Sequence, residues 1–218
     1  MRGHWILSQT REHWAGWAAA MGDAGPAPLA ERYLAARRAE GDAWALDLGC
    51  GTGRSFELLA RAGYRIAGLD PVAAALQASR QRIDGAARLI QGRASALPVG
   101  DASVSLALAI GLLFHLSPGE LPAALAEIRR ALRPDGAAIL HFLEDGDARR
   151  GWHPAVAPAA IGADSQNALI LSFWAGADLR ALLAGAGLAV AELNLHATQQ
   201  PDGRRREWVA VCHPARSL

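Results

Sequence analysis

Three glycines at alternate positions, Gly49, Gly51 and Gly53, are the residues whose spacing most clearly indicates ligand chemistry. They follow a short apolar run at 43–48, which is typical of a buried parallel strand. Glycines between a strand and a helix allow positive φ angles and let a ligand lie directly on the backbone. The helix that follows presents free N–H groups and a partial positive charge to an anionic group. The spacing therefore predicts a nucleotide-type ligand on this loop.

The residues around the glycines separate two kinds of nucleotide ligand. The dinucleotide fingerprint reads G-x-G-x-x-G, whereas the third glycine here comes one position early, and Arg54 stands where that fingerprint requires glycine. An acid, Asp47, also lies two positions before the first glycine. The pattern Asp-x-Gly-x-Gly-x-Gly resembles motif I of the class I S-adenosylmethionine (SAM) dependent methyltransferases. The resemblance implies that SAM contacts five residues of this segment: Asp47, Gly49, Cys50, Gly51 and Gly53.

A second acid stands at the end of the next predicted strand, which covers residues 64–70. A carboxylate at Asp70 can accept hydrogen bonds from both hydroxyls of a ribose. Asp70 could equally cap a helix that begins at Pro71, and the two roles are compatible. The resemblance extends the predicted cofactor contacts to the residue after this acid, to the loop after the third strand and to the end of the fourth strand: Pro71, Ala94, Ser95, Ala109 and Ile110.

Aromatic residues mark the side of the site on which the methyl acceptor is expected. A first predicted helix at 10–22 places Trp14 and Trp17 on one face, where they line the acceptor pocket or only pack against the domain. Phe114 and His115 follow the fourth predicted strand, near the edge at which ligands of α/β sheets bind. His115 is the candidate catalytic residue, because an imidazole can act as a general base near neutral pH. The alternative is a buried or helix-capping histidine without a chemical role.

The sequence of segment 144–174 indicates less about its structure than the rest of the chain does. Its first half is polar and rich in turn-forming residues, and residues 168–173 read as an added strand. Insertions at this place in the methyltransferase family commonly line the acceptor site. Trp152 and Phe173 are therefore substrate-side candidates, although a solvated loop with ordinary core anchors explains them equally well.

Composition and charge limit the classes of function. The chain has 218 residues, of which 51% are hydrophobic and 20% charged, and its formal net charge is +1. This balance argues against a nucleic-acid partner. All 22 basic residues are arginine, which excludes catalysis by lysine. The two cysteines, Cys50 and Cys212, are too few for a disulfide framework or a cysteine-based zinc site, and no metal is expected.

The same sequence predicts a cytoplasmic protein. No run approaches the roughly 20 consecutive apolar residues of a membrane span. The amino-terminal residues lack the apolar core and the cleavage site of a signal peptide. We expect neither a membrane partner nor a large assembly, but a monomer or a homodimer.

The order of the predicted elements is typical of an α/β fold. Residues 132–136, Leu-Arg-Pro-Asp-Gly, resemble the Leu-Lys-Pro-Gly-Gly signature that follows the corresponding methyltransferase helix. The resemblance implies a Rossmann-like, seven-stranded, mostly parallel sheet of order 3-2-1-4-5-7-6 with the last strand antiparallel, helices on both faces and an N-terminal helical cap. We expect one domain over 1–218 in four parts: the helical cap at 1–42, a cofactor-binding half at 43–143, the substrate-side insertion at 144–174, and a C-terminal helix and hairpin at 175–213.

These features predict an enzyme that transfers the SAM methyl group to a small-molecule acceptor and leaves S-adenosylhomocysteine. The acceptor atom can be O, N, C or S, and the in-line displacement depends mainly on alignment of donor and acceptor. Two alternatives stay open. A SAM-binding regulatory protein that has lost transfer is favoured by Arg93 and Ser105, which stand where the family often has acids. An NAD-dependent oxidoreductase on a related fold is disfavoured by Arg54.

Overall fold

A computed structural model describes residues 14–20, 25–82, 85–117, 119–151, 171–201 and 203–215. The strands are β1 Trp44–Leu48, β2 Arg65–Asp70, β3 Ala87–Gln91, β4 Val104–Ala109, β5 Leu132–Glu144, β6 Phe173–Trp174, β7 Leu188–Gln200 and β8 Gly203–Pro214. The helices are α1 at 14–20, α2 Pro28–Leu34, α3 Phe56–Arg61, α4 Ala73–Ser79, α5 Glu120–Ala131 and α6 Gly176–Gly185. Short 3-10 turns lie at Leu113–His115 and Ala148–Gly151.

The strands form a single sheet of order β3-β2-β1-β4-β5-β8-β7, and β6 pairs with β5 outside this path. Strands β1 to β5 are parallel to one another, whereas β8 runs antiparallel to both β5 and β7. The predicted fold class and strand order are confirmed, because β7 and β8 are the sixth and seventh strands of the prediction and the short β6 is an addition. The carboxyl ends of β1, β2, β4 and β5 meet along one edge, which is where such sheets bind ligands.

Alternate residues of the buried strands pack against different helices. On one face, Leu106 and Leu108 of β4 lie in a core cluster to which α2 and α3 contribute Leu34 and Phe56. On the other face, Ala107 joins a cluster with residues of α5 and α6. Both faces of β4 are therefore covered, which explains why its sequence is an apolar run instead of an alternating pattern.

Of the first predicted helix, at 10–22, residues 14–20 are described and all of them are helical. The sequence also predicts a second helix from residue 28 to about residue 40, but α2 ends at Leu34. It stops there because the Arg37 N–H bonds to the carbonyl three residues back, and the Ala39 N–H turns to the Ala62 carbonyl at 2.7 Å. Among the described helices, none is long and apolar enough to cross a bilayer.

The helix after β2 begins later than expected. We predict Pro71 at its first turn, but α4 begins at Ala73. The Val72 N–H instead bonds to the Asp70 carboxylate at 2.8 Å, so this acid holds the two residues that precede the helix.

The fifth strand and the final hairpin are longer than predicted. The sequence predicts a turn at 134–136 that leads into a fifth strand at 137–143. In the structure β5 already begins at Leu132, which pairs with Val104, and the register with β4 shifts across residues 133–136 before the pairing resumes at Ala137. The sequence also predicts hairpin strands at 188–195 and 206–212, and these continue further because their pairing persists to the connecting turn.

Candidate functional site

The glycine loop after β1 is built from backbone hydrogen bonds to the end of β2. Gly49 and Cys50 both donate their N–H groups to the Leu69 carbonyl, at 2.8 and 3.1 Å. Gly49, Gly51 and Gly53 have φ angles of 66, 53 and 77°, which explains the spacing of the three glycines. The loop therefore lies at the carboxyl edge of the sheet, where Gly49 is half-buried and residues 50–53 are buried.

Asp70, at the end of β2, supports this loop directly. Its Oδ2 accepts the Gly51 N–H at 2.9 Å, while its Oδ1 accepts the Val72 N–H. Burial raises the pKa of Asp70, and the two backbone hydrogen bonds oppose that shift. Each carboxylate oxygen has a second lone pair, so the group can still accept hydrogen bonds from a ligand.

Asp47, inside β1, is the second acid of the site. Burial raises its pKa to about 8, the negative charge of Asp70 adds to this, and a hydrogen bond with Ser55 opposes it. Within the described residues, neither acid has a salt-bridge partner. A cation bound nearby would therefore lower the cost of ionising both groups.

The close neighbours of the loop explain why it lacks side chains. A Cβ atom on Gly51 would lie 3.3 Å from the ring of Trp17, and one on Gly49 would lie 3.1 Å from the Leu112 side chain. Among the described residues, the buried Thr52 hydroxyl has no hydrogen-bond partner, and a ligand rich in polar groups can supply one. The glycine loop and the two acids, which have no salt-bridge partner in that part of the chain, fit SAM, which carries a ribose, a cationic sulfonium and an ammonium group.

The loops after β3 and β4 reach the same edge. The Gly92 N–H bonds to the Asp70 carbonyl at 3.2 Å, which places the turn containing Ala94 and Ser95 beside this acid. Ala94 is buried and Ser95 half-buried. Arg93, which stands where the family often has an acid, forms an ion pair with Glu120 of α5.

Other predicted cofactor residues lie at strand ends. Ala109 is fully buried in its pairing with Leu140. Ile110 follows it and is half-buried. The carbonyl of Pro71 accepts a hydrogen bond from the Gln91 side chain, so Pro71 connects β2 to β3.

Four predicted acceptor-side residues form a row of rings across the carboxyl edge. The Trp14 and Trp17 centroids are 5.9 Å apart, and the Trp14 ring lies 4.8 Å from that of His115 with its edge toward the face. His115 in turn lies 4.3 Å from the ring of Phe114. Since Trp17 lies over Gly51, the row runs from the glycine loop to the turn after β4.

The insertion is described in part. Phe173 of β6 pairs with Leu143 of β5, and the N–H of the preceding residue, Ser172, bonds to the Phe114 carbonyl at 2.9 Å. Phe173 therefore directly follows a residue that bonds to one member of the row of rings. Trp152 and residues 168–170 of the predicted added strand lie outside the described residues.

The sequence interpretation missed a buried polar cluster behind Phe114. Its members are His141 of β5, Glu207 of β8, and Asp147 and Arg149 after β5. The His141 ring lies 5.1 Å from that of Phe114. A signal was present, because a histidine inside the apolar run 137–143 requires a polar partner. The identity of that partner depends on the β5–β8 pairing and could not be read locally.

Comparison with known proteins agrees with this geometry. Residues 45–136 match a family model described as a methyltransferase domain. An uncharacterized methyltransferase of Synechocystis sp. is 29% identical over 153 residues, which cover 70% of this chain and 69% of that protein.

Two solved structures share the fold. One chain of the complex between the Haloferax volcanii Trm112 methyltransferase activator and the putative methyltransferase aligns with a TM-score of 0.74 and 21% identity, over 93% of this chain and 98% of its own length. The 1,6-didemethyltoxoflavin-N1-methyltransferase of Burkholderia thailandensis, solved with 1,6-didemethyltoxoflavin and S-adenosylhomocysteine bound, aligns with a TM-score of 0.71 and 20% identity, over 98% and 90% of the two chains. The family match over residues 45–136, together with the acidic glycine loop, shows that the chain contains a class I SAM-dependent methyltransferase domain, whose cofactor is SAM, and the two solved structures share its fold.

Proposed function

We propose that this enzyme transfers the methyl group of SAM to a small-molecule acceptor bound beside the row of rings. The observation that carries the proposal is the continuity of that row with the glycine loop, through the contact of Trp17 with Gly51. Aromatic faces bind flat or apolar molecules and exclude water. A formal net charge of +1 gives no support to a polyanionic acceptor.

On the donor side, the proposal assigns the ribose to Asp70 and the methionyl part to the loop at 49–53. When bound, SAM supplies a methyl group that its sulfonium already activates. Asp70 accepts hydrogen bonds from the sugar while its own backbone partners keep it oriented. A bound cationic ligand lowers the cost of ionising Asp47, and the carboxylate that results attracts the ligand.

On the acceptor side, Trp14, Phe114 and His115 lie where a nucleophile would approach the end of β4. Their work is to align the acceptor and to keep water out, which suffices for a strongly activated donor. His115 stands as a general-base candidate because of this location, and Trp152 and Phe173 as further substrate-side candidates. Among similar proteins, the Burkholderia enzyme is a 1,6-didemethyltoxoflavin-N1-methyltransferase whose structure contains bound 1,6-didemethyltoxoflavin.

The experiment is methyl transfer from SAM carrying a radiolabelled methyl group. The purified protein is incubated with pooled small metabolites, with bulk RNA and with a protein lysate, and label is followed in each fraction. We expect label in the small-molecule fraction, and loss of that label when Asp70→Asn replaces the wild type. Label that appears only in RNA or protein would overturn the assignment of acceptor class while leaving the family unchanged.

A further inference from the structure

His141 contacts the turn that follows β4. The histidine is 5% exposed, and its Nδ1 accepts the Gly111 N–H at 3.2 Å. Gly111 has a φ angle of 80°, and it directly follows Ile110 at the carboxyl end of β4. A nitrogen that accepts a hydrogen bond carries a lone pair, so this contact requires a neutral imidazole whose proton lies on Nε2.

The other nitrogen of His141 faces an anchored carboxylate. Nε2 lies 3.6 Å from Oε1 of Glu207, and Arg149 donates to the same oxygen at 2.8 Å. Arg149 also forms two hydrogen bonds to Asp147, at 2.7 and 2.8 Å. Asp147 is 2% exposed and accepts the Arg206 N–H of β8 at 2.6 Å. A continuous buried chain of contacts therefore runs from β8 and the segment after β5 to the turn after β4.

The charged groups around His141 belong to β8 and to the segment after β5. Burial opposes ionisation of Glu207, but His141 and Arg149 outweigh it and lower the pKa of Glu207 to about 2. Glu207 is therefore an anion at neutral pH. From β7, His196 is paired in register with Glu207. Burial and the charge of Arg32 lower the pKa of His196.

We propose that His141 is a positioning residue of the methyltransferase site, which in its neutral form holds the Gly111 turn in the conformation that the site requires. The contact uses Nδ1 as an acceptor, while Glu207 and Arg149 lie on the opposite side of the ring and hold its orientation. This inference rests on the proposed function for its consequence, though not for the contact itself.

The position of the turn explains why this contact matters for the site. Leu112, after Gly111, has its side chain 3.1 Å from the Cβ position of Gly49 in the glycine loop. Phe114 and His115 follow in the same 3-10 turn and begin the row of rings. A shift at Gly111 would therefore displace groups on both the donor and the acceptor side.

Two variants of His141 separate positioning from packing. In His141→Asn, the side-chain oxygen lies near the position of Nδ1 and can accept the Gly111 N–H. His141→Leu has no acceptor there. The first readout is hydrogen exchange of the Gly111 amide in the ligand-free protein at neutral pH. We expect exchange about fivefold to tenfold faster in His141→Leu at neutral pH, as loss of one hydrogen bond implies, and protection close to wild type in His141→Asn.

Rescue by the conservative variant is the readout that a purely packing role would not produce. Affinity for S-adenosylhomocysteine should fall in His141→Leu together with protection of the Gly111 amide. In His141→Asn, which keeps the acceptor, both should stay close to wild type. His213→Asn is the matched control, since His213 also contacts a glycine backbone atom, the Gly136 carbonyl at 2.9 Å, at the other edge of the sheet. It should leave both readouts unchanged.

Several outcomes would overturn the inference. One is unchanged Gly111 exchange in a folded His141→Leu protein, and another is a folded His141→Asn protein that loses protection as His141→Leu does. If His141→Leu does not fold, loss of Gly111 protection in a folded His141→Asn protein overturns the inference by itself. A wild type that protects Gly111 but transfers no methyl group would instead contradict the proposed function and leave the contact intact.

Discussion

The Oδ2 atom of Asp70 and the Gly51 N–H are joined by a hydrogen bond of 2.9 Å, although the residues lie 19 positions apart. The acid predicted to hold the ribose thus also holds the glycine loop. Binding of the sugar and the shape of the loop are coupled through one carboxylate. Substitutions of Asp70 should therefore change both donor affinity and the free energy of unfolding.

Asp70→Asn tests this coupling. An amide can accept one of the two backbone N–H groups but must point its own NH₂ at the other, which leaves a buried donor unsatisfied. We expect the free energy of unfolding to fall by about 1 to 3 kcal/mol, and donor affinity measured by calorimetry to fall at least about tenfold. Asp42→Asn is the control, because Asp42 pairs with Arg65 on the surface. Equal donor affinity in Asp70→Asn and wild type would contradict the role of this acid.

Gly51→Ala tests the need for a bare backbone in the loop. The alanine would have to adopt a φ angle of 53°, and its Cβ would lie 3.3 Å from the Trp17 ring. Gly41→Ala is the matched control, since Gly41 has a φ angle of 61° but no atom of the described residues lies within 4 Å of its Cβ position. Both should be destabilised by about 1 kcal/mol in thermal melts. Only Gly51→Ala should also lose affinity for S-adenosylhomocysteine, and an equal loss in both would refute a specific role for Gly51.

Two kinds of feature could be predicted: those that depend on a local sequence pattern, and those that the family resemblance implies. The strand, glycine loop and helix around Gly49 follow from spacing alone, and the confirmed strand order follows from the resemblance. The hydrogen bond between Asp70 and Gly51 and the cluster around His141 depend on strand pairing between distant segments, so no local pattern contains them. The end of α2 was missed for a similar reason, because a contact from Ala39 to Ala62 competes with helix propensity.

The assignment of individual site residues stays a prediction, as does the cytoplasmic location. The structure brings Trp14, Trp17, Phe114 and His115 together, which the sequence indicated only as separate candidates. Helical spacing placed the two tryptophans on one face, but their contact with the turn after β4 required the packing of α1. That packing uses Ala18 against Val72 and Ala75.

Asp47→Asn should separate stability from function. The pKa of Asp47 in the folded wild type is about 8, above the usual value of about 3.9. Protonated Asp47 therefore makes its full contribution to the free energy of unfolding below about pH 4, and this contribution is lost as the pH rises through about 8. The amide cannot ionise and can keep the hydrogen bond with Ser55. We therefore expect the ligand-free variant to be more stable than wild type at alkaline pH, and weaker in binding the cationic donor. Urea unfolding across pH measures the first effect, and identical pH profiles for the two proteins would exclude a buried, titrating Asp47.

Arg149→Met tests the buried cluster after β5. The substitution leaves the carboxylates of Asp147 and Glu207 without their shared cation, in a place where the Asp147 side chain has no exposed surface. We expect the free energy of unfolding to fall by about 3 kcal/mol at neutral pH. The neighbouring Arg150→Met is the control, because the Arg150 side chain is 57% exposed and its ion pair with Asp145 lies on the surface. It should change stability by less than about 1 kcal/mol.

The acid dependence of the same variant has a defined sign. Burial opposes ionisation of Asp147 and Glu207, but their hydrogen bonds and Arg149 lower both pKa values, that of Glu207 to about 2. The stability that these anions contribute is present above about pH 4.3 and is lost as the pH falls toward the folded values. The difference between wild type and Arg149→Met should therefore shrink from neutral pH toward about pH 2. A difference that stays constant over that range would show that Arg149 acts by packing alone.

The central claim is that the glycine loop and Asp70 together bind the donor. The most direct measurement is a crystal structure of the wild-type protein with S-adenosylhomocysteine. We predict that the ribose hydroxyls bond to the Asp70 carboxylate, and that the homocysteine part lies over residues 49–53 with the row of rings beside its sulfur. A ligand bound elsewhere, with the Trp17 ring still filling the space over Gly51, would contradict the account.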